Sequence, residues 1–501
     1  MKFVRSHQLL AVAAIWGAPV FAQLNCAGPN GNIFNLEPRS NAVVQAAKSI
    51  AFLPGAGSGG GDLVVGTATD MRGIAATNDE FYVERSSTNC AADFEGGLPQ
   101  IENILGVFAG NGTPIAVADP ARSAFFVVDL RFGGADQNGI GIVRSDAATL
   151  LSSSSCPSGT QSQGSAGCWT VGAVTNVTSL NAFLDSPHIA IDQRATGAGA
   201  GDVYTVVSER SANGSSNSIS LTACTNSTLN CGASIVISGS DQEADFPYVQ
   251  VRTDGGITVS YRNTTFPKVN PEDIKFVTCT PKGAPNAPSC TAPVLITTED
   301  NPVFASLPGD VPMEIDLYPR HANRLESDGH TVTTFLVYDR CDAAIIQQAG
   351  LGSPFCPKSD VVFTTSTDGG ATWGPTNKIS TAVGQQFFSS IALDAGTGTM
   401  NVAYYSTEND FFQQRPQVFL AQFLPGTTTP AAPHLLTTGT GDVQATSPLT
   451  VLLQPVGFGD RLGLAAAAGT AYVGFTWNSV FGSYAGVSSA DMNNHVTRFS
   501  Y

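Results

Sequence analysis

Charge is what this chain has least of. Asp, Glu, Lys and Arg make up 13% of its 501 residues, about half the ~25% usual in soluble globular proteins. Basic charge is scarcest: Lys plus Arg number 24 against 40 Asp plus Glu, a formal net charge of −16. A nucleic-acid partner is excluded, because its phosphates call for a basic surface. A long coiled coil is excluded too, since the charges that flank its seam are missing. No CxxC occurs and no His stands near a cysteine pair at ligand spacing, so zinc is a poor reading and no metal is expected. Gly-rich phosphate loops, nucleophile elbows and metal-binding helix motifs are also missing. A bilayer-spanning run takes ~20 apolar residues. The longest candidate beyond the N-terminus, 462–475, is broken by Gly463, Gly469 and Gly474.

What is abundant points one way. Hydrophobic residues reach 42%, with 28 Phe and 11 Tyr to build a core, which argues against disorder. Gly (52) and Pro (29) supply many turns. Together these describe a large, turn-rich, weakly charged all-β protein.

Residues 1–22 read as a secretory signal. Lys2 and Arg5 form its positive start, 9–16 its apolar run, and Val20, Phe21 and Ala22 its cleavage site. The expected address is secreted or periplasmic. Ten cysteines fit it: Cys26, Cys90, Cys156, Cys168, Cys224, Cys231, Cys279, Cys290, Cys341 and Cys356. Eight fall into close pairs, 12, 7, 11 and 15 positions apart, which favours local disulfides without fixing connectivity.

A strand-like segment recurs at 62–72, 124–131, 202–210, 256–262, 332–340, 400–405 and 471–477. Six intervals between centres near 66 and 474 give a mean period of 68 residues. A shorter apolar run precedes most copies (49–53, 114–119, 187–192, 247–251, 390–394), and an alternating strand follows each. Short strands repeated at this spacing are the signature of β-propeller blades. The expectation is all-β: a propeller of four-stranded antiparallel sheets with seven blades, six being the alternative. A pair of β-sandwiches would not require a regular period. Residues 23–48 are expected to close the last blade, and 49–501 to form one propeller domain.

The fifth unit ends in Ser366, Asp368, Gly370, Thr372 and Trp373 at the spacing Ser-x-Asp-x-Gly-x-Thr-Trp. This is similar to the Asp-box of sialidase-like propellers, whose secreted bacterial members the chain also resembles in pattern over most of 45–480. In that family the box pins the turn between third and fourth strands, on the face away from ligand. The close cysteine pairs in units 2 to 4 are inferred to staple the same turn there.

Propellers bind ligands at one channel mouth, where inner strands start and second strands end. The scarce charges collect at those places: Asp70 and Arg72, Asp129 and Arg131, Glu209 and Arg210, Arg262, Asp339 and Arg340, Tyr405 and Glu408. Strand starts add Asp185, His188, Asp245, Tyr318, Arg320, His321, Asp460 and Arg461. One reading is a polar funnel in which Arg forks take the carboxylate of a glycan. The resemblance to retaining sialidases implies a Tyr nucleophile, a Glu partner and an Asp acid, for which Tyr405, Glu209 or Glu408, and Asp70 are the candidates. The other reading is that Asp and Arg at strand ends tie each blade to the next. The family's Arg-Ile-Pro signature is missing: Arg39 precedes Ser and Arg320 precedes His. His188 and His321 are single strand-start residues, and glycosylation sequons stand at Asn111, Asn176, Asn213, Asn226 and Asn263. The expected function is therefore an exported carbohydrate-active propeller, a sialidase-type glycoside hydrolase if catalytic. Its alternative is a non-catalytic propeller that binds a glycan or protein. No cofactor is expected, a structural calcium ion is compatible with the channel, and a monomer is expected.

Overall fold

The computed structural model describes residues 30–35, 45–73, 76–85, 93–103, 106–110, 112–133, 137–153, 160–161, 164–179, 182–211, 216–264, 272–299, 317–342, 356, 358–413, 415–437, 461–484 and 487–501. The proposed signal, Cys26, Cys90, Cys156, Asn111, Asn213 and Asp460 lie outside them.

Seven sheets, antiparallel apart from one two-residue parallel pairing in blade 2, succeed one another along the chain, which makes the fold a seven-bladed, not a six-bladed, β-propeller. The inner strands are Gln45–Leu53, Ile115–Asp119, Leu184–Ile191, Ala244–Val251, Arg320–Leu325, Gln386–Asp394 and Gly463–Ala467. Their second strands are Leu63–Gly73, Ala124–Gly133, Val203–Arg210, Ile257–Thr264, Val332–Cys341, Thr399–Ser406 and Thr470–Tyr484. In blade 7 the outermost place is taken by Asn30–Asn35, paired antiparallel with the last strand, Val487–Ser500. Blade 2 is enlarged to nine strands, and the one described α-helix, Ala147–Ser152, follows its third strand.

The apolar content follows from the packing. Each sheet has a neighbour on both faces, so central strands are buried nearly end to end, as in Val203–Arg210 and Thr399–Ser406. Aromatic residues fill the wedges between blades. Phe81 of blade 1 meets Trp169 of blade 2 edge-on at 4.9 Å, and Phe52 of blade 1 meets Tyr472 of blade 7 at 4.6 Å.

Outer hairpins are fixed in two ways. Disulfides Cys224–Cys231 and Cys279–Cys290 close the turn after the third strand in blades 3 and 4. In blade 5 that turn holds no bridge. There Asp368 accepts from the Thr372 amide at 2.9 Å, and the Trp373 indole donates to Gly370 O at 3.1 Å. Trp373 also meets Phe276 of blade 4 edge-on at 5.2 Å. Gly370 sits at φ +93, and a Cβ there would fall 2.4 Å from the Phe276 ring, so glycine is needed twice over. Cys341–Cys356 is different in place: it bridges from the end of the second strand of blade 5. Cys168 is disulfide-bonded as well.

The end of the propeller where inner strands finish is tied across blades. Arg194 of blade 3 forks onto Asp192 (2.6 and 2.9 Å) and donates to the Asp254 carbonyl of blade 4 at 2.7 Å. Arg122 of blade 2 pairs with Asp119 at 3.1 Å and donates to the Arg194 carbonyl at 2.9 Å. Arg324 of blade 5 donates to two carbonyls of blade 6, Leu424 and Thr427, at 3.0 and 2.8 Å. Asp394 of blade 6 accepts from the Ala468 and Gly469 amides of blade 7 at 3.0 and 2.7 Å. Structural bridging by Asp and Arg is thus real at this end.

Candidate functional site at the channel mouth

The inner strands of all seven blades line a central channel of about 480 Å3. Its throat is narrow in chemistry: Ala51, Ala116, Ala190, Ala392 and Ala466 present little beyond methyl groups. Aromatic side chains and two arginines gather where the strands begin, at His188, Tyr248, Tyr318, Arg320 and Arg461, while Gln193, Arg194, Arg252 and Thr253 line the opposite end. Among the described residues no carboxylate lines the channel.

A repeated backbone device shapes this mouth. Between Asp185 and His188 the inner strand advances three residues while its partner advances from Ser208 to Val206, which is two. The same extra residue occurs between Asp245 and Tyr248, between Phe387 and Ser390, and between Ala46 and Ser49. These are β-bulges, which re-aim side chains at barrel and propeller rims. In three of them a non-glycine residue takes a left-handed conformation: Ser186 (φ 50), Phe246 (φ 51) and Phe388 (φ 54). Such strain persists only where the surroundings enforce it.

The enforcing groups can be named. Asp185 accepts from the Ser186 amide at 2.7 Å, and Asp245 from the Phe246 amide at 2.8 Å. Pro187 and Pro247 follow, and having no N–H they leave no donor stranded at the bulge. Blade 6 has Phe387 in place of the Asp and Ser389 in place of the Pro. There the carboxylate comes from the neighbouring blade: Asp339 accepts from both the Phe388 and the Ser389 amides. Burial pushes the Asp339 carboxyl up to about 6, against the pull of those hydrogen bonds and of Arg320.

Around these bulges the mouth is an aromatic and cationic cluster. His188 lies against Tyr248 with ring centres 3.9 Å apart, and Phe246 against Tyr318 at 4.9 Å. The Arg320 and Arg461 guanidinium carbons stand 4.8 and 5.1 Å from the centre of the same Tyr318 ring. Arg262 covers Phe246 at 4.4 Å and pairs with Glu272 at 3.3 Å. Arg320 is 4% exposed; it donates to Leu462 O at 3.1 Å, its Nε has no partner, and it makes no ion pair among the described residues. Burial lowers its pKa and the neighbouring Arg461 charge adds to that, against the opposing pull of Tyr318 and of the Asp339 carboxyl. His188 accepts from the Val249 amide through Nδ1 at 3.4 Å. Burial, then Arg320 and Arg461, hold its pKa well below the ordinary value, so its ring is neutral.

The other residues expected at the site have other placements. His321 is buried and bonded at both nitrogens, to Ser260 and Thr258 at 2.8 Å each, with its pKa lowered to about 3 by burial. Tyr405 is buried; its hydroxyl donates to Thr476 O at 2.9 Å and accepts from Thr476 N at 2.8 Å, which joins blade 6 to blade 7 and keeps the phenol out of the channel. Glu408 accepts from Ser406 Oγ at 2.9 Å. Glu209 accepts from Ser220 at 3.4 Å, and exposed Arg210 donates to Asn217 at 3.3 Å. Arg340 is half-buried beside Tyr338. Asp70 and Arg72 stand at the mouth end of the second strand of blade 1; their side chains lie outside the described ones. Of the Arg set, Arg320 lines the channel, together with Arg461.

Arg131 serves the fold. It is fully buried, bound to Asp129 at 2.7 Å and to the Pro99 carbonyl at 2.5 Å. A Cβ on Gly141 would fall 1.8 Å from its Nε, so glycine makes the room. Beside this pair Asp79 accepts from Thr69 Oγ1 (2.9 Å) and the Gly112 amide (3.0 Å). Burial, with the Asp129 charge, pushes the Asp79 carboxyl well above the usual carboxylate range, and burial raises Asp129 to about 6. The amides of Asn176 and Asn226 donate to Ser234 and Asp119, and Asn263 accepts from the Glu243 amide, so these three sequon side chains are occupied.

No protein-family model matches the sequence, and no curated protein matches it. Among solved structures the chain is similar to the polysaccharide lyase Uly1, at 11% identity over 97% of this chain and 94% of that one, TM-score 0.47. It is also similar to the Hadza microbial sialidase Hz136, at 11% identity over 87% and 73%, TM-score 0.43. A third is the Penicillium chrysogenum alpha-L-arabinanase complexed with arabinobiose, at 10% identity over 78% and 97%, TM-score 0.43. At such identity the likeness says nothing about a ligand, and the propeller stands on the chain's own strand pairing. No described helix is long and apolar enough to cross a membrane.

Proposed function

We propose that this chain is an exported propeller that takes the acidic group of an extracellular glycan into the channel mouth around Arg320. One observation carries the reading: Arg320 is buried at the channel mouth with a hydrogen bond to Leu462 O and no ion pair among the described residues, and no described carboxylate lines the channel. Buried charge is stable only when compensated. A carboxylate or sulfate would supply that compensation through bidentate hydrogen bonds. Tyr248, Tyr318 and His188 would pack against the sugar ring. The bridges of blades 3 to 5 suit an oxidising, extracellular setting, and we take the chain to act as a monomer.

Binding is the primary reading. Hydrolysis of the exo-sialidase type would add a carboxylate acid from the mouth rim, for which Asp70 is the candidate. The test is a panel of acidic and neutral polysaccharides probed with the parent and Arg320→Met. Retention of acidic polymers by the parent alone supports the reading, and equal retention of neutral ones contradicts it. Release of reducing ends, lost in Asp70→Asn, would establish hydrolysis.

A further inference from the structure

The most exposed large apolar side chains described are not scattered. Phe411 is 92% exposed, Phe412 75% and Val383 76%. Phe411 and Phe412 meet edge to face, with ring centres 5.3 Å apart. Both stand in the loop that follows Ser406, and Ser406 pairs with Gln386 at the start of the inner strand of blade 6. The loop therefore rises on the mouth side, over the strand that carries the Phe388 bulge.

The loop is built to hold these rings outward. Asp410 N donates to Thr407 O at 2.9 Å, Gln413 N to Asp410 O at 3.0 Å, and Arg415 N to the Asp410 carboxylate at 2.9 Å. Asn409 is bonded to Gln417 at 2.8 Å. Thr407 exchanges bonds with Gln385, at 3.0 and 2.8 Å, which anchors the loop to the segment bearing Val383. Fixed, unpartnered aromatic faces on a mouth rim are an interaction surface.

We infer that Phe411 and Phe412 form a stacking platform for a sugar unit of a glycan chain whose acidic residue sits at the Arg320 mouth. This rests on the proposed function and adds a second subsite to it. Two Phe and a Val offer a few hundred square ångströms at most, below the roughly 800 Å2 per partner of a stable protein interface. Glu408 and Asp410 beside the rings, in a chain of net charge −16, disfavour an anionic bilayer. A sugar face needs neither large area nor basic charge: its C–H groups pack on an aromatic face.

The probes are polygalacturonate, hyaluronate and chondroitin sulfate as polymers, each with its trisaccharide fragment. The double variant Phe411→Ala/Phe412→Ala is expected to bind the retained polymer about tenfold more weakly, with trisaccharide binding unchanged. Arg320→Met should lose both. A double variant that binds polymer like the parent overturns the platform while leaving the mouth intact. If the double variant weakens and Arg320→Met does not, the mouth reading fails and the platform stands. Self-association or binding to phosphatidylglycerol vesicles that disappears in the double variant would assign the rings to a second copy or a bilayer and overturn the inference. So would a parent that binds none of the three polymers.

Discussion

At the end of the channel where inner strands finish, Arg194 gives its guanidinium to Asp192 and to a carbonyl of the next blade. At the end where they start, Arg320 gives one hydrogen bond to Leu462 O and faces Arg461 over a shared tyrosine ring. The residue type is the same and the compensation is opposite. In the first case a carboxylate neutralises the charge within the blade, and carbonyls of the same blade (Ala198) and the next (Asp254) take the other N–H groups. In the second the charge is desolvated beside another guanidinium, and the Asp339 carboxyl acts on it through space without an ion pair. The difference separates a latch, built for stability, from a site held short of its own optimum.

That contrast can be broken most forcefully at the latch. Asp192 is fully buried and holds the Arg194 fork, so Asp192→Ala is expected to cost about 3 kcal/mol in urea denaturation, with mouth binding unchanged. A variant as stable as the parent would mean the latch is ornamental. Arg320→Met should act the other way. Removing a buried charge that has no ion pair is expected to leave stability equal or raise it by about 1 kcal/mol, while acidic glycan binding falls by about 3 kcal/mol. Loss of fold in Arg320→Met would show that the mouth Arg is structural.

A pH experiment probes the bulges. The folded Asp339 pKa, about 6, lies above its ordinary value of 3.8. Its contribution to stability is therefore full below about pH 3.8 and lost as pH rises through about 6. His188 and His321 work in the opposite sense. Their folded values lie below 6.5, so the stability they contribute is present above that pH and lost as it falls. Asp339→Asn retains both histidines, so in the difference between variant and parent they cancel. The variant is expected to gain on the parent by an amount on the order of 2 kcal/mol between pH 4 and pH 8, read as denaturation midpoints. A flat difference would contradict the assigned shift. The smallest effect is expected from Arg252→Ala, whose partner Asp254 is half exposed. It should change stability by less than about 1 kcal/mol, and a larger loss would extend the latch to that pair.

Much of the fold was readable in the sequence because it is local. Inner strands such as 187–192 and 390–394 announce themselves as short apolar runs, and close cysteine pairs mark hairpins. The mouth was readable in part. Arg320, Arg461, Tyr318 and His188 could be placed at strand starts, but Tyr248, Phe246 and Phe388 look like ordinary strand aromatics. Nothing in a phenylalanine signals a left-handed bulge. Its cause is Asp185 or Asp245 next door in two blades, and in blade 6 it is Asp339, 49 positions away. Recurrent Arg at second-strand ends was also ambiguous. Arg131 and Arg262 share a sequence position with one another, yet both turn to buried carboxylates, Asp129 and Glu272, rather than to the channel. The Asp79 and Asp129 pair joins two blades and leaves no local pattern at all.

The direct test compares the parent, Arg194→Met and Arg320→Met by calorimetric titration with the trisaccharide of whichever acidic polymer the parent retains. The account predicts that the parent and Arg194→Met bind alike, with Arg194→Met the less stable protein, and that Arg320→Met binds about a hundredfold more weakly. Equal affinity in the parent and Arg320→Met, or loss of binding in Arg194→Met with its fold intact, would contradict it.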